Sequence, residues 1–217
     1  MIRIKLCGVR TPADALLCAE AGADEIGVVF AAQSRRRVTL EEARSIRDVL
    51  PLRIPVVGVF LDATLEEVAA AARAVGLSAA QLHGAWFPKV PALSGGSAAG
   101  SGEDALPLYA ALQLADERAL EALAQRPTAA RVLLDGPAAG SGKRFAWSLA
   151  ARARALHPAP LFIAGGLTPE NVAQAIGEAR PDGVDVASGV ERSDGFKDAA
   201  KVRAFVQAVR SSIENLR

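Results

Sequence analysis

Cysteine, lysine, histidine and aspartate residues stand at the ends of short apolar runs, where a strand would deliver their side chains to a common place. In the run Ile2–Leu6, alternation turns Ile2, Ile4 and Leu6 to one side and Lys5 and Cys7 to the other. The same parity sets Gln81 and His83 together at the end of Ala79–His83. Asp135 closes Arg131–Asp135, opposite in facing to Val132 and Leu134, and Asp185 lies between the outward Val184 and Val186. A thiol beside an ammonium loses its proton more readily and can serve as a base. A carboxyl group across from it can serve as the acid. Each residue alone has a plainer reading, since a lone cysteine often fills space in a core and a strand-end aspartate often caps a turn. Convergence from four strands favours proton-transfer chemistry.

Small residues supply a second kind of group. Ala164-Gly-Gly-Leu167 and Ala187-Ser-Gly-Val190 follow two of the runs, and Gly165, Gly166, Ser188 and Gly189 would let backbone N–H groups approach an anion. Within Arg35-Arg36-Arg37, a guanidinium could hold a carboxylate through two parallel hydrogen bonds. Gly140-Ser-Gly142-Lys143 lacks the spacing of a nucleotide-binding P-loop and reads as a loop over the site. Cys18 falls in a helical apolar pattern and reads as core, and His157, before Pro158, reads as a surface histidine. No His/Cys/Asp/Glu cluster has metal-ligand spacing, so no metal is expected.

These groups need a scaffold that gathers strand ends. Strand-like runs cover Ile2–Leu6, Glu25–Phe30, Pro55–Phe60, Ala79–His83, Leu108–Gln113, Arg131–Asp135, Leu161–Ala164 and Val184–Ala187. Between most of them lie stretches with helical periodicity. Thr11-Pro12 opens a helix over Pro12–Ala21 that stops at Gly22, Thr39 with Glu42 has the spacing of a capping box, and Asp62/Thr64 precede Leu65–Val75 and Gly76. Thr168-Pro169 opens Glu170–Ile176, and a last helix is expected over about Lys197–Ile213. Run starts recur about every 26 residues, one strand plus one helix with short loops, so right-handed parallel crossovers follow. Eight such units predict an α/β fold of the (β/α)8 TIM-barrel type in one domain over 1–217, with the active site at the C-terminal strand ends. A doubly wound open sheet is the alternative. Where the fourth helix belongs, the Gly/Ser-rich stretch at about 94–102 is expected to be a flexible loop.

Composition narrows the function. Of 217 residues, 51% are hydrophobic, 23% charged and 5% aromatic, a globular balance. The net charge of +1 argues against nucleic-acid or membrane-surface partners. No apolar run reaches the ~20 residues of a membrane span. The opening Met1-Ile-Arg-Ile-Lys5 lacks a signal-peptide core, and two cysteines make no disulfide framework, so a cytoplasmic enzyme is expected.

In chain order, Lys5-Leu-Cys-Gly-Val9, Ser34-x-Arg36 before Val38, Val57-Gly-Val-Phe60, Gln81-Leu-His-Gly84, Leu133-Leu-Asp135, Gly140-Ser-Gly142, Ala164-Gly-Gly-Leu-Thr-Pro-Glu-Asn171, Val184-Asp-Val-Ala-Ser-Gly-Val-Glu191 and Gly195-Phe-Lys-Asp198 closely resemble the phosphoribosylanthranilate isomerase family of tryptophan biosynthesis. The likeness spans nearly the whole chain except Ala85–Pro107. It implies an Amadori rearrangement of N-(5-phosphoribosyl)anthranilate by acid–base catalysis, which requires neither a metal nor an organic cofactor. By that resemblance Asp135 is the general acid on the ring oxygen and Cys7 the base at C2′. Arg36 would hold the anthranilate carboxylate, Asp185 would orient the amine, and Gly165, Gly166, Ser188 and Gly189 would bind phosphate. Gln81 and His83 join the substrate-binding set. The partner implied is a small phosphorylated substrate, with the chain a monomer or homodimer. The sequence departs from the family at Arg35 and Arg37, where a proline and an aromatic usually flank the arginine, at Ala85-Trp86 after Gly84, and at Phe145-Ala-Trp147. The rivals are the histidine-pathway sugar isomerase, which uses an aspartate base, and a phosphate-binding barrel without activity.

Overall fold

A computed structural model describes residues 1–84, 106–113, 123, 129–136 and 147–214. Eight parallel strands close a barrel in sequence order: β1 Arg3–Cys7, β2 Glu25–Val29, β3 Val56–Leu61, β4 Ala79–His83, β5 Leu108–Gln113, β6 Arg131–Asp135, β7 Leu161–Ala164 and β8 Gly183–Val186. Closure joins β8 to β1, with Lys5 in register with Asp185 on one side and Glu25 on the other. The described helices are α1 Pro12–Ala21, α2 Leu40–Val49, α3 Leu65–Val75, α4 Trp147–Leu156, α5 Val172–Ala179 and α6 Ala199–Glu214. The open-sheet alternative is thereby excluded. The 94–102 and 140–143 stretches lie outside the described residues.

Local chemistry explains most boundaries. Thr11 caps α1 by accepting from the Asp14 N–H, and Gly22 ends it in the left-handed conformation. Thr39–Glu42 and Thr64–Glu67 form the two reciprocal capping boxes at α2 and α3. Two expected starts move. Asp198 accepts from the N–H groups of Ala200 and Lys201, so α6 begins after it, and Lys197 stays in the preceding loop with its side chain turned inward. A turn over 168–171, closed by the Thr168 N–H on Asn171 Oδ1, delays α5, which then runs through Gly177 because buried Ala179 extends its apolar face.

Alternation along the strands divides the core in two. Outward residues such as Ile4, Leu6, Ile26, Val132, Leu134 and Val184 pack with Ala15, Cys18, Ile46 and Val68 of the helices. Ala111, Leu133, Phe162 and Ala164 fill one region of the interior, and Cys7, Val29 and Val59 another. The interior also holds charge. Arg131 donates from Nη1 and Nη2 to Glu25 at 2.6 and 2.8 Å, joining strands from opposite sides of the barrel. Its guanidinium lies 4.1 Å from the Tyr109 ring centroid and 3.9 Å from that of Phe162. These aromatic faces replace part of the hydration it loses. Arg3 meets the same Glu25 carboxylate at 3.0 Å from the rim.

Removing one member of a buried ion pair is far costlier than replacing both. Arg131→Met should lower the free energy of unfolding by about 3 kcal/mol, and adding Glu25→Leu should restore much of that loss. Urea unfolding followed by circular dichroism measures both; equal stability of the single variant and the native chain would contradict this account of the barrel interior.

Candidate active site

Cys7 is the last residue of β1, and two positions earlier Lys5 is fully buried in the barrel. Lys5 Nζ donates to Asp185 Oδ1 at 3.0 Å across the β1–β8 seam. Gly27, in register with Cys7, leaves room for both side chains: a Cβ there would lie 2.7 Å from Cys7 Sγ and 3.1 Å from Lys5 Nζ. Burial opposes the Lys5 charge, but Asp185 and Cys7 outweigh it and hold the ammonium above its ordinary pKa. Burial pushes the Cys7 thiol up, and Lys5 pulls only part of the way back. The expected easing of thiol ionisation by Lys5 is therefore present but smaller than the opposing desolvation.

Asp135 ends β6, directly before Gly136. Burial, helped by the charge of Asp185, pushes its carboxyl group up to about 6. Gly165, at φ +84°, is the neighbour that permits this seat, because a Cβ there would lie 2.7 Å from Asp135 Oδ1 and from Gly136 Cα. At the end of β4, the Gln81 side-chain N–H donates to His83 Nε2 at 2.8 Å. Burial and then Lys5 lower the His83 pKa to about 4, so the ring is neutral near pH 7 and accepts that bond.

These strand ends surround a cavity of about 470 Å³. Cys7, Arg36, Gln81, His83, Asp135, Asp185, Gly165, Gly166 and Ser188 all form part of its wall. At the far end Gly166 adopts φ +66° with open space where a Cβ would be, and Ser188 begins a short 3-10 turn over Ser188–Val190. Gly189 is not in the wall. It packs against the Leu167 carbonyl, where a Cβ would collide, so it seats the β8 turn on the β7 loop. Arg36 reaches the wall already gripped by Glu191, at 2.6 Å from Nε and 2.9 Å from Nη2. Among the described residues, no group of three or more His, Cys, Asp or Glu side chains is placed to hold a metal ion.

Several participants escape a reading of strand ends. Glu191 lies beyond the 3-10 turn, and Lys197 looks like part of a helix start until Asp198 takes the cap. Gln113 and Arg35 also line the cavity. Gln113 could have been found from parity, since it closes β5 in register with Asp135. His157 is a correction: it is only 6% exposed, and its Nδ1 accepts from the Ala159 N–H as the chain turns into β7. Cys18 is in the core as expected.

A family model described as N-(5'phosphoribosyl)anthranilate (PRA) isomerase matches residues 4–208. The chain is 43% identical over 214 residues to an N-(5'-phosphoribosyl)anthranilate isomerase of Pseudomonas fluorescens, covering 96% of this chain and 98% of that one. A crystal structure of monomers of the dimeric phosphoribosylanthranilate isomerase from Thermotoga maritima superposes with a TM-score of 0.80 at 34% identity, covering 97% and 100% of the two chains. A phosphoribosylanthranilate isomerase in complex with reduced 1-(o-carboxyphenylamino)-1-deoxyribulose 5-phosphate gives 0.81 at 35%, with the same coverage.

The two thiols should differ in reactivity. Cys7 should be alkylated by iodoacetamide slowly at pH 7 and progressively faster as the pH rises toward its raised pKa. Cys18, fully buried and pushed up to about 12, should stay unmodified until the protein unfolds. Site-resolved mass spectrometry checks this, and fast Cys7 labelling at pH 7 would contradict the net effect of burial.

Proposed function

The chain belongs to the phosphoribosylanthranilate isomerase family, and from that membership we propose how its own residues carry out the reaction. The activity is the aldose–ketose isomerisation of N-(5-phosphoribosyl)anthranilate to 1-(2-carboxyphenylamino)-1-deoxyribulose 5-phosphate in tryptophan biosynthesis. The observation that carries the mechanism is a thiol and a carboxyl group of raised pKa at one cavity, with a buried ammonium beside the thiol.

Asp135, with a pKa of about 6, retains a protonated fraction near neutrality and gives its proton to the furanose ring oxygen as the C1′–O bond opens to the Schiff base. Cys7, as thiolate, removes the C2′ proton, and the resulting enolamine tautomerises to the ketose. Desolvation keeps the thiolate scarce but also leaves it strongly basic, and Lys5 offsets its charge as it forms. Lys5 also fixes Asp185 through Oδ1, and we assign the other carboxylate oxygen to the anthranilate amine. Arg36 receives the anthranilate carboxylate, with Gln81 and His83 on the same wall. Backbone groups around Gly165, Gly166 and Ser188, with Gly189 supporting the turn, take the phosphate.

No cofactor enters these steps. The whole chain acts as one barrel domain, in the cytoplasm, on a small phosphorylated substrate rather than on nucleic acid or membrane. It is a monomer or a homodimer; the Thermotoga maritima relative is described as dimeric. No described helix is long and apolar enough to cross a membrane.

The acid titrates below the base, so the competent form, protonated Asp135 with ionised Cys7, is a minor one whose population is constant between the two pKa values. kcat/KM should therefore rise with pH up to about 6, stay level, and fall only above the raised thiol pKa. In Asp135→Asn the acidic limb should move up to the thiol pKa, with kcat lower by about 10²- to 10⁴-fold. Cys7→Ala should lose activity by at least as much while still binding product. Loss of anthranilate-type fluorescence after adding enzyme to freshly generated substrate measures all of these. Near-normal turnover by either variant would remove that residue from the mechanism.

A further inference from the structure

An arginine offers two planar edges for bidentate pairing, Nε with one Nη and the two Nη together. In this structure Glu191 occupies the first edge of Arg36, with Nε on Oε1 at 2.6 Å and Nη2 on Oε2 at 2.9 Å. That geometry keeps the second edge for another planar oxyanion. We propose that Glu191 is a positioning residue, which holds the Arg36 guanidinium so that its remaining edge meets the ring carboxylate of the substrate. The proposal rests on the reading above that Arg36 receives that carboxylate.

Three features show a built support. The Glu191 residue is 4% exposed and its main chain is tied down, its carbonyl accepting from Lys201 Nζ at 2.8 Å. Beneath it lies Lys197, 2% exposed, whose Nζ reaches Glu191 Oε1 at 3.4 Å, the Cys7 carbonyl at 2.6 Å and the Ala187 carbonyl at 3.2 Å. The Arg36 stem crosses Gly8, which stands at φ +73° and could not carry a Cβ without striking Arg36 Cδ. Arg36 is thus pinned before any ligand arrives. An arginine free to rotate would lose about two- to tenfold in affinity when immobilised on binding.

The cluster's charge suits the same ligand. Arg35 also donates from Nη2 to Glu191 Oε2 at 2.9 Å, so Arg35, Arg36 and Lys197 share one carboxylate and the group stays positive. A second carboxylate is attracted to it, whereas Glu191 alone would repel one.

The test compares two stable ligands by isothermal titration calorimetry. One is reduced 1-(o-carboxyphenylamino)-1-deoxyribulose 5-phosphate, and the other is the same compound without the ring carboxyl. Glu191→Gln should reduce the preference for the carboxylated ligand about tenfold, leave the other ligand's Kd within about twofold, and raise KM more than it lowers kcat. Arg36→Ala should abolish the preference. A merely structural role would lower the folded fraction and leave the ratio of the two Kd values as in the native chain. If Glu191→Gln fails to fold because Lys197 is left unpaired, Glu191→Gln/Lys197→Met carries the same comparison. An unchanged ratio in the Glu191 variant, with the ratio lost in Arg36→Ala, overturns the positioning role and keeps the Arg36 reading. An unchanged ratio in Arg36→Ala overturns both.

Discussion

The contact between Lys5 Nζ and Asp185 Oδ1, 3.0 Å long inside the barrel, joins the first strand to the last and sets the charge beneath the cavity. Burying an ammonium costs heavily unless a counter-charge and hydrogen bonds compensate it. The pair meets that condition, and its influence runs outward. Lys5 opposes part of the desolvation that raises Cys7, helps to lower His83, and opposes the rise at Asp135, where Asp185 acts in the other direction. The protonation states of the thiol, the imidazole and the carboxyl group are therefore coupled through one buried ion pair.

Burial, more than this coupling, sets how the thiol and the carboxyl group titrate. A thiol and a carboxyl group in water would titrate with the acid ionised and the base protonated near neutrality. Burial raises both groups, so it retains some acid in protonated form while making the thiolate rarer. In the proposed mechanism, turnover rests on a minor protonation state made reactive by the same desolvation that makes it scarce. A neutral His83 in the wall adds a polar surface without adding charge that would favour ionisation of Asp135.

Charge is layered along the barrel. Between opposite strands Glu25 meets Arg131, whose guanidinium Tyr109 and Phe162 enclose, and from the rim the half-exposed Arg3. At the mouth, Glu191 meets three cations, Arg35, Arg36 and Lys197. The first arrangement suits a sealed interior and the second an anionic ligand. Both use buried carboxylates; the difference lies in how many cations each one meets.

What could be read from the sequence was what is encoded along it. Strand alternation turned Lys5, Cys7, Gln81, His83, Asp135 and Asp185 to the inside, and Thr39 and Thr64 with the glutamates three residues on marked two helix starts, because both signals depend only on near neighbours. The recurring strand–helix period similarly implied a closed parallel barrel before any contact was known. Tertiary structure decided the partners. Arg36 and Glu191 are 155 positions apart, and Lys197 meets the Cys7 carbonyl across 190. The buried His157, the seat of Gly189 against the Leu167 carbonyl, and the upward shift of Cys7 belong to the same class. Desolvation and ion pairing are properties of the closed barrel, since a side chain loses water and acquires its counter-charge only when distant segments enclose it.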